Sequence, residues 1–186
     1  MNLDLLDIIG AIRPPETLVL QSLAESKSRH CAQFVEVGVW KGHSASLIGE
    51  VVKRQGGRLY CIDHWKGSIG TGLVEEAEKH DIYEIFEHNM RELNLWDCIT
   101  PIEKNSATAS QSFGDKSIDF LFIDADHRHK QFLDDLTNWI PKMKTGGIAC
   151  GHDCEGYYSQ MTPAQQELIN KELDIDFGGY HAGVIK

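Results

Sequence analysis

No stretch of the 186-residue chain approaches the roughly 20 consecutive apolar residues that a membrane-spanning helix requires. The opening MNLDLLDIIGAIRPPE has neither a basic leading region nor a small-residue cleavage site, so no secretory signal is expected. Arginine-rich stripes and basic–aromatic interleaving are also missing. Basic groupings are short: Lys53 with Arg54, Arg128 with Lys130, and Lys142 with Lys144. Lys and Arg total 18 against 28 Asp and Glu, and the formal charge of -10 repels phosphate backbones. Neither nucleic acid nor a membrane is therefore expected as a partner. The five cysteines are odd in number and form no standard structural zinc pattern. With Cys61 and Cys150 in strand-like settings, they read as reduced thiols of a cytoplasmic protein. No internal repeat or low-complexity linker interrupts the chain.

What is present reads as one globular domain spanning 1–186, with 1–31 as a helical N-terminal extension. Leu3, Leu5, Leu6, Ile8, Ile9 and Ile12 give apolar faces, Pro14-Pro15 punctuates them, and a second helix is expected over 16–28. These segments either cap the sheet or help to cover a substrate. Strands and helices then alternate. Strands are expected at 33–39, 58–63, 98–104 and 117–126, and a further strand in IACGHD after a turn at Gly146-Gly147. Helices are expected at 44–55, stopped by Gly56-Gly57, then at 73–93, 130–140 and 163–173. Pro101 favours an edge position for the third strand. Residues 174–186 suggest two closing strands about Gly178-Gly179. This alternation implies a doubly wound α/β fold whose sheet is mostly parallel and covered on both faces.

Ligands of open α/β sheets bind beyond the C-terminal strand ends. Four clusters fall there. Glu36-Val37-Gly38-Val39-Trp40-Lys41-Gly42 joins an acid to a tight glycine turn, and Gly42 leaves room for a ligand to approach. The pattern is not the G-x-G-x-x-G of dinucleotide binders. An ordinary glycine turn with a surface acid would look the same. Asp63 follows Gly38 by 25 residues, at the next strand end. That spacing suits a carboxylate holding both ribose hydroxyls, of a nicotinamide cofactor as well as of another nucleoside, with a helix cap or loop acid as the alternative. The third and fourth clusters are Asp124-Ala125-Asp126-His127-Arg128-His129 and Gly151-His152-Asp153. Asp124, His152 and Asp153 can converge there as an oxygen-rich set with one imidazole. This suits Mg²⁺ or Mn²⁺ ahead of Zn²⁺. A polar network closing the sheet edge is the alternative.

Together, FVEVGVWKGHSA, YCIDHW and FLFIDADHRH…GGIACGHD resemble the class I S-adenosylmethionine-dependent methyltransferases. They are most similar to the bacterial methyltransferase domain family 24 and its macrocin-type sugar O-methyltransferases, and more distantly to catechol and caffeoyl-CoA O-methyltransferases. The resemblance covers about residues 30–154. It implies a seven-stranded Rossmann-like methyltransferase sheet with an antiparallel C-terminal strand. It also implies S-adenosylmethionine as cofactor: Glu36, Gly38 and Gly42 at its methionine side, Asp63 on the ribose, His64 and Trp65 beside the adenosine, and Asn105-Ser106 at the adenine. Asp124 matches the metal-binding acid, which also borders the cofactor. His152 and Asp153 match the acidic–amide pair of the catechol enzymes with exchanged chemistry.

His127 falls where the catechol enzymes carry a catalytic lysine, and His129 where the bacterial group often has tyrosine. Either imidazole suits general-base work, and either also suits a loop cap. The reaction implied is methyl transfer to a hydroxyl oxygen of a small molecule such as a sugar, diol or catechol-like compound. Competing readings are metal-assisted hydrolysis with the same cluster, and a nonenzymatic nucleoside-binding protein. Tyr157, Tyr158, Met161 and Tyr180, within 154–186, serve either as an aromatic wall, as ordinary packing, or as a homodimer interface.

Overall fold

The computed structural model describes residues 14–68, 71–126 and 128–152, together with Ile8 and Ile12. Helix α1 (Pro14–Lys27) precedes a βα series. Pro14 and Pro15 open α1, where a missing N–H costs nothing. Then follow β1 (Gln33–Val37), α2 (His43–Gln55), β2 (Arg58–Asp63), α3 (Leu73–Ala77), α4 (Ile82–Glu92) and β3 (Ile99–Glu103). The series ends with α5 (Ser106–Ser110), β4 (Ile118–Ile123), α6 (His129–Trp139) and β5 (Met143–Gly151).

The five strands are all parallel and lie in the order β3-β2-β1-β4-β5. The doubly wound, parallel reading is thus correct. The two closing strands of the expected seven, and the helix at 163–173, lie outside the described residues. Because β1 has β2 on one side and β4 on the other, the winding direction reverses between β1 and β4. Such a reversal opens a crevice at the carboxyl ends of the two strands.

Alternation along β1 explains the two cores. Phe34 packs on one face with Ile48, Val52, Leu59, Phe86 and Phe120, under α1, α2 and α4. Val35 and Val37 point the other way, onto Ile62, Phe113, Leu121, Ile123 and Trp139. β4 is buried along its whole length, as a central parallel strand should be. Its one acid, Asp119, accepts from the Gln33 N–H, Arg29 and Lys144 at the opposite strand end.

Three local expectations are corrected. The helix at 73–93 is two helices, because Asp81 caps a new start and accepts from the Glu84 N–H at 3.0 Å. Gly146-Gly147 is not a turn before the last strand. β5 runs through it, with a register irregularity against β4 between Ile118 and Phe120. The first strand stops at Val37, since Gly38 already turns the chain at φ +84°. Pro101 does sit on an edge strand of the described sheet, opposite Cys61. Among the described residues no helix is long and apolar enough to cross a membrane.

Candidate cofactor and acceptor site

The crevice is lined first by Glu36. It lies in β1 between Cys61 of β2 and Phe122 of β4, and is fully buried rather than a surface acid. The Ser44 hydroxyl at the start of α2 donates to its Oε1. Its Oε2 is buried with no hydrogen-bond partner among the described residues. Burial pushes the carboxyl well above the usual carboxylate range; Ser44 opposes the shift, and the charges of Asp124 and Asp63 add to it. The same acid, after burial itself, helps to hold the neighbouring Cys150 thiol up at about 12.

Gly38 joins the two sides of the crevice. A Cβ on it would lie 2.1 Å from the Asp124 carbonyl oxygen and 2.7 Å from the Ala125 Cα. The absent side chain is thus required by the β4 loop itself. The Asp124 N–H donates to the Val37 carbonyl at 2.8 Å, continuing the ladder past both strand ends. Gly42 caps α2 at φ +92°, and a Cβ there would meet Met90 Cε at 2.7 Å and Phe86 Cδ2 at 2.9 Å. Its missing side chain makes room for α4, which is a packing reason that the sequence did not reveal.

Asp63 clamps two loops. Its Oδ2 accepts from the Val39 and Trp40 N–H groups at 2.8 and 2.9 Å, and its Oδ1 from the Trp65 N–H at 2.8 Å. Two charge-assisted bonds therefore tie the β1 turn to the end of β2, and the third folds the β2 turn back onto Asp63. Beside it, the exposed His64 accepts from the Lys66 N–H through Nδ1. Trp65 is buried; it donates to the Trp40 carbonyl and packs on Tyr83 and Phe86 at ring separations of 4.8 and 5.4 Å.

Asn105 caps α5, accepting from the Thr108 N–H at 2.9 Å. The Ser106 hydroxyl donates to the buried Asp135 carboxylate and accepts from the Trp139 indole at 2.8 Å. That network fixes α5 against α6. Burial raises the Asp135 carboxyl, and the Ser106 bond moderates the rise.

Asp124 and His152 meet at the ends of β4 and β5. Their Oδ1 and Nδ1 atoms are 3.8 Å apart, and the side chains are 21% and 15% exposed. On the other side of the ring, Nε2 lies 3.4 Å from Oε2 of Glu16 in the first turn of α1. The sequence pattern singled out neither Glu16 nor Ser44. Glu16 lies 136 residues from its partner. Ser44 was legible only as a helix start. Among the described residues, no group of three or more His, Cys, Asp or Glu converges as a metal centre. His127 and Asp153 lie outside the described residues, as does the side chain of His129.

The family described as a methyltransferase domain matches residues 35–154, from the middle of β1 to beyond the end of β5. An uncharacterized protein of Sinorhizobium fredii is 26% identical over 125 residues, or 66% of this chain; the chain spans 13% of that relative's length. A SAM-dependent O-methyltransferase from Thermotoga maritima shares the fold with a TM-score of 0.61 at 14% identity, over 89% of this chain and 51% of that one. A cofactor-bound protein from MTB superposes with a TM-score of 0.64 at 15% identity, over 91% and 70%. The family match takes in the whole crevice from Glu36 to His152, and the chain belongs to the methyltransferase domain family.

Proposed function

We propose that the chain binds S-adenosylmethionine in the β1/β4 crevice and transfers its methyl group to a hydroxyl oxygen of a small acceptor. One observation carries the reading: a fully buried Glu36 with an unpartnered Oε2, set at the switch point among two further acids. A cationic ligand with donor groups relieves both the unmet acceptor and the mutual repulsion of the carboxylates. S-adenosylmethionine supplies a methyl group already activated by its sulfonium charge. Glu36, Gly38 and Gly42 would receive its methionine end, Asp63 and His64 its ribose side, and Asn105-Ser106 its adenine. Trp65 would act from behind, by holding the Trp40 carbonyl.

The acceptor oxygen attacks the methyl carbon, the carbon–sulfur bond breaks, and the hydroxyl proton leaves to a base. His127 is the first candidate for that base, and His129 the second. A divalent ion, Mg²⁺ or Mn²⁺ before Zn²⁺, would be held by Asp124, His152 and Asp153 and would orient the hydroxyl and lower its pKa. The opposed oxygen and imidazole of Asp124 and His152 support this reading. The charge of -10 favours a sugar, diol or catechol-like acceptor over a nucleic acid.

Calorimetric titration with S-adenosylmethionine and NAD tests the cofactor; binding of NAD alone would sink the assignment. Transfer of labelled methyl to sugars, diols and catechols, compared with RNA, tests the acceptor class. Single turnover of His127→Gln should fall roughly 100-fold or more if that ring is the base. An unchanged rate and pH profile would pass the role to His129. Full activity after rigorous chelation would remove the metal from the scheme and leave methyl transfer standing.

A further inference from the structure

The Asp63 carboxylate has little acceptor capacity left for a ligand. An ionised carboxylate offers about four lone-pair sites, two on each oxygen. The Val39 and Trp40 N–H groups fill both sites of Oδ2, and the Trp65 N–H fills one on Oδ1. His64 takes none of them: its Nδ1 lies 3.9 Å from Oδ1, beyond hydrogen-bond reach, and already accepts from the Lys66 N–H at 3.0 Å. Among the described residues one site remains, on Oδ1, and the side chain is 13% exposed. Holding both ribose hydroxyls, as the strand-end spacing suggests, would need two.

Freeing Oδ2 for the second hydroxyl would be a poor exchange, because it strands two N–H donors to gain one. Val39 is 3% exposed, so water is no ready substitute for its lost partner. The turn is also held by bonds that do not involve the carboxylate. Trp40 and Trp65 are both left-handed, at φ +51° and +52°, and the Trp65 indole donates to the Trp40 carbonyl at 2.9 Å. The next carbonyl, that of Lys41, accepts from the Asn89 side chain of α4, also at 2.9 Å. The Trp40 N–H is thus pinned in front of Oδ2 from the far side of its own residue.

We infer that Asp63 keeps Oδ2 on the β1 turn when the nucleoside is bound and takes a single ribose hydroxyl, on Oδ1. The inference rests on the cofactor reading above and narrows it. One half of the carboxylate is scaffold and the other half is binding site, and only one of the two hydroxyls is read through this acid.

Calorimetry with S-adenosylhomocysteine and its 2′-deoxy and 3′-deoxy analogues, on wild type and on Asp63→Ala, measures what each hydroxyl contributes and whether Asp63 is its partner. Deleting one hydroxyl should weaken binding to wild type roughly 10- to 100-fold, the range of a hydrogen bond to a charged group, and that penalty should vanish in Asp63→Ala. Deleting the other should have the same effect in both proteins. Amide NMR of wild type gives a second reading. The Val39 and Trp40 protons, slowed in exchange by their carboxylate partner, should stay as slow when the site is saturated with S-adenosylhomocysteine. Penalties for both hydroxyls that vanish in Asp63→Ala would overturn the inference. So would penalties that Asp63→Ala leaves unchanged for both, or faster exchange of either amide in the complex. Should Asp63→Ala fail to fold, amide exchange in wild type decides. No binding of S-adenosylhomocysteine to wild type would defeat the cofactor reading and this inference with it, whereas two hydroxyls on Asp63 would defeat the inference and leave that reading standing.

Discussion

Replacing Gly38 with alanine tests whether the crevice is closed by backbone contact between β1 and β4, and Gly146→Ala is its internal control. Both glycines have positive φ, +84° and +78°. An L-residue in that region costs roughly 1–2 kcal/mol, and Gly146 should lose only this, since nothing lies within 4 Å of its Cβ position. At Gly38 the new methyl meets the Asp124 carbonyl at 2.1 Å and 2.5 Å (oxygen and carbon), backbone atoms that no rotamer change can move aside. Overpacking adds about 1–3 kcal/mol, giving a total of about 2–5 kcal/mol for Gly38→Ala. For a chain of this size each kcal/mol lowers Tm by about 2–4 °C. Urea denaturation of both variants measures the two losses, and titration with S-adenosylhomocysteine measures the site. Gly38→Ala should be the less stable and bind the nucleoside more weakly, because Asp124 must shift with its own carbonyl. Equal losses for the two variants, with binding unchanged, would refute the backbone-contact argument.

Other consequences are equally direct. Asp63→Ala strands three N–H groups and should cost about 2–4 kcal/mol, with weaker cofactor binding, whereas Asp63→Asn should lose less; denaturation and calorimetry together read this. Glu36 is raised by burial, so its neutral form stabilises the fold below the unfolded value of about 4.3, and that contribution fades as pH rises through the folded value. Glu36→Gln should accordingly gain stability over wild type with rising pH and lose S-adenosylmethionine affinity; a stability difference flat from pH 4 to pH 8 would contradict the burial argument. Burial alone would raise Asp119, but Lys144, the Gln33 N–H and Arg29 outweigh it and hold the carboxyl below its usual range. Its contribution is therefore present above the unfolded value of about 3.9 and lost as pH falls through the folded value. The stability gap between wild type and Asp119→Asn should shrink in acid.

Much of the layout was legible because buried parallel strands leave apolar runs ending in glycine or acid. QFVEV, RLYCID and IDFLFI lie where periodicity put them, and Pro101 marked an edge. The strand-end rule also brought Glu36, Asp63, Asp124 and His152 to one side of the sheet. The missed features depend on distance along the chain. Whether Gly42 makes room for a ligand or for Phe86 cannot be told without α4 in place, and the Asp63 carboxylate shows no local sign of its bonds to Val39 and Trp40. Gly146-Gly147 misled because a bulge and a turn use the same residue for the same backbone angle.

The order of the strands also has a consequence during synthesis. β2 follows β1 closely in the chain, but the other edge of β1 has to wait for β4; Gln33 and its partner Asp119 are 86 residues apart. At translation rates of 5–20 residues per second that interval is roughly 4–17 s. For that time the edge of β1 that will meet Phe120 and Phe122 has no strand beside it, an arrangement that invites pairing with a foreign strand. Glu36 sits on that edge. While it faces water it can ionise, and a charge on an open edge discourages mispairing. The acid that burial later turns against ionisation would thus guard the unfinished sheet until β4 arrives.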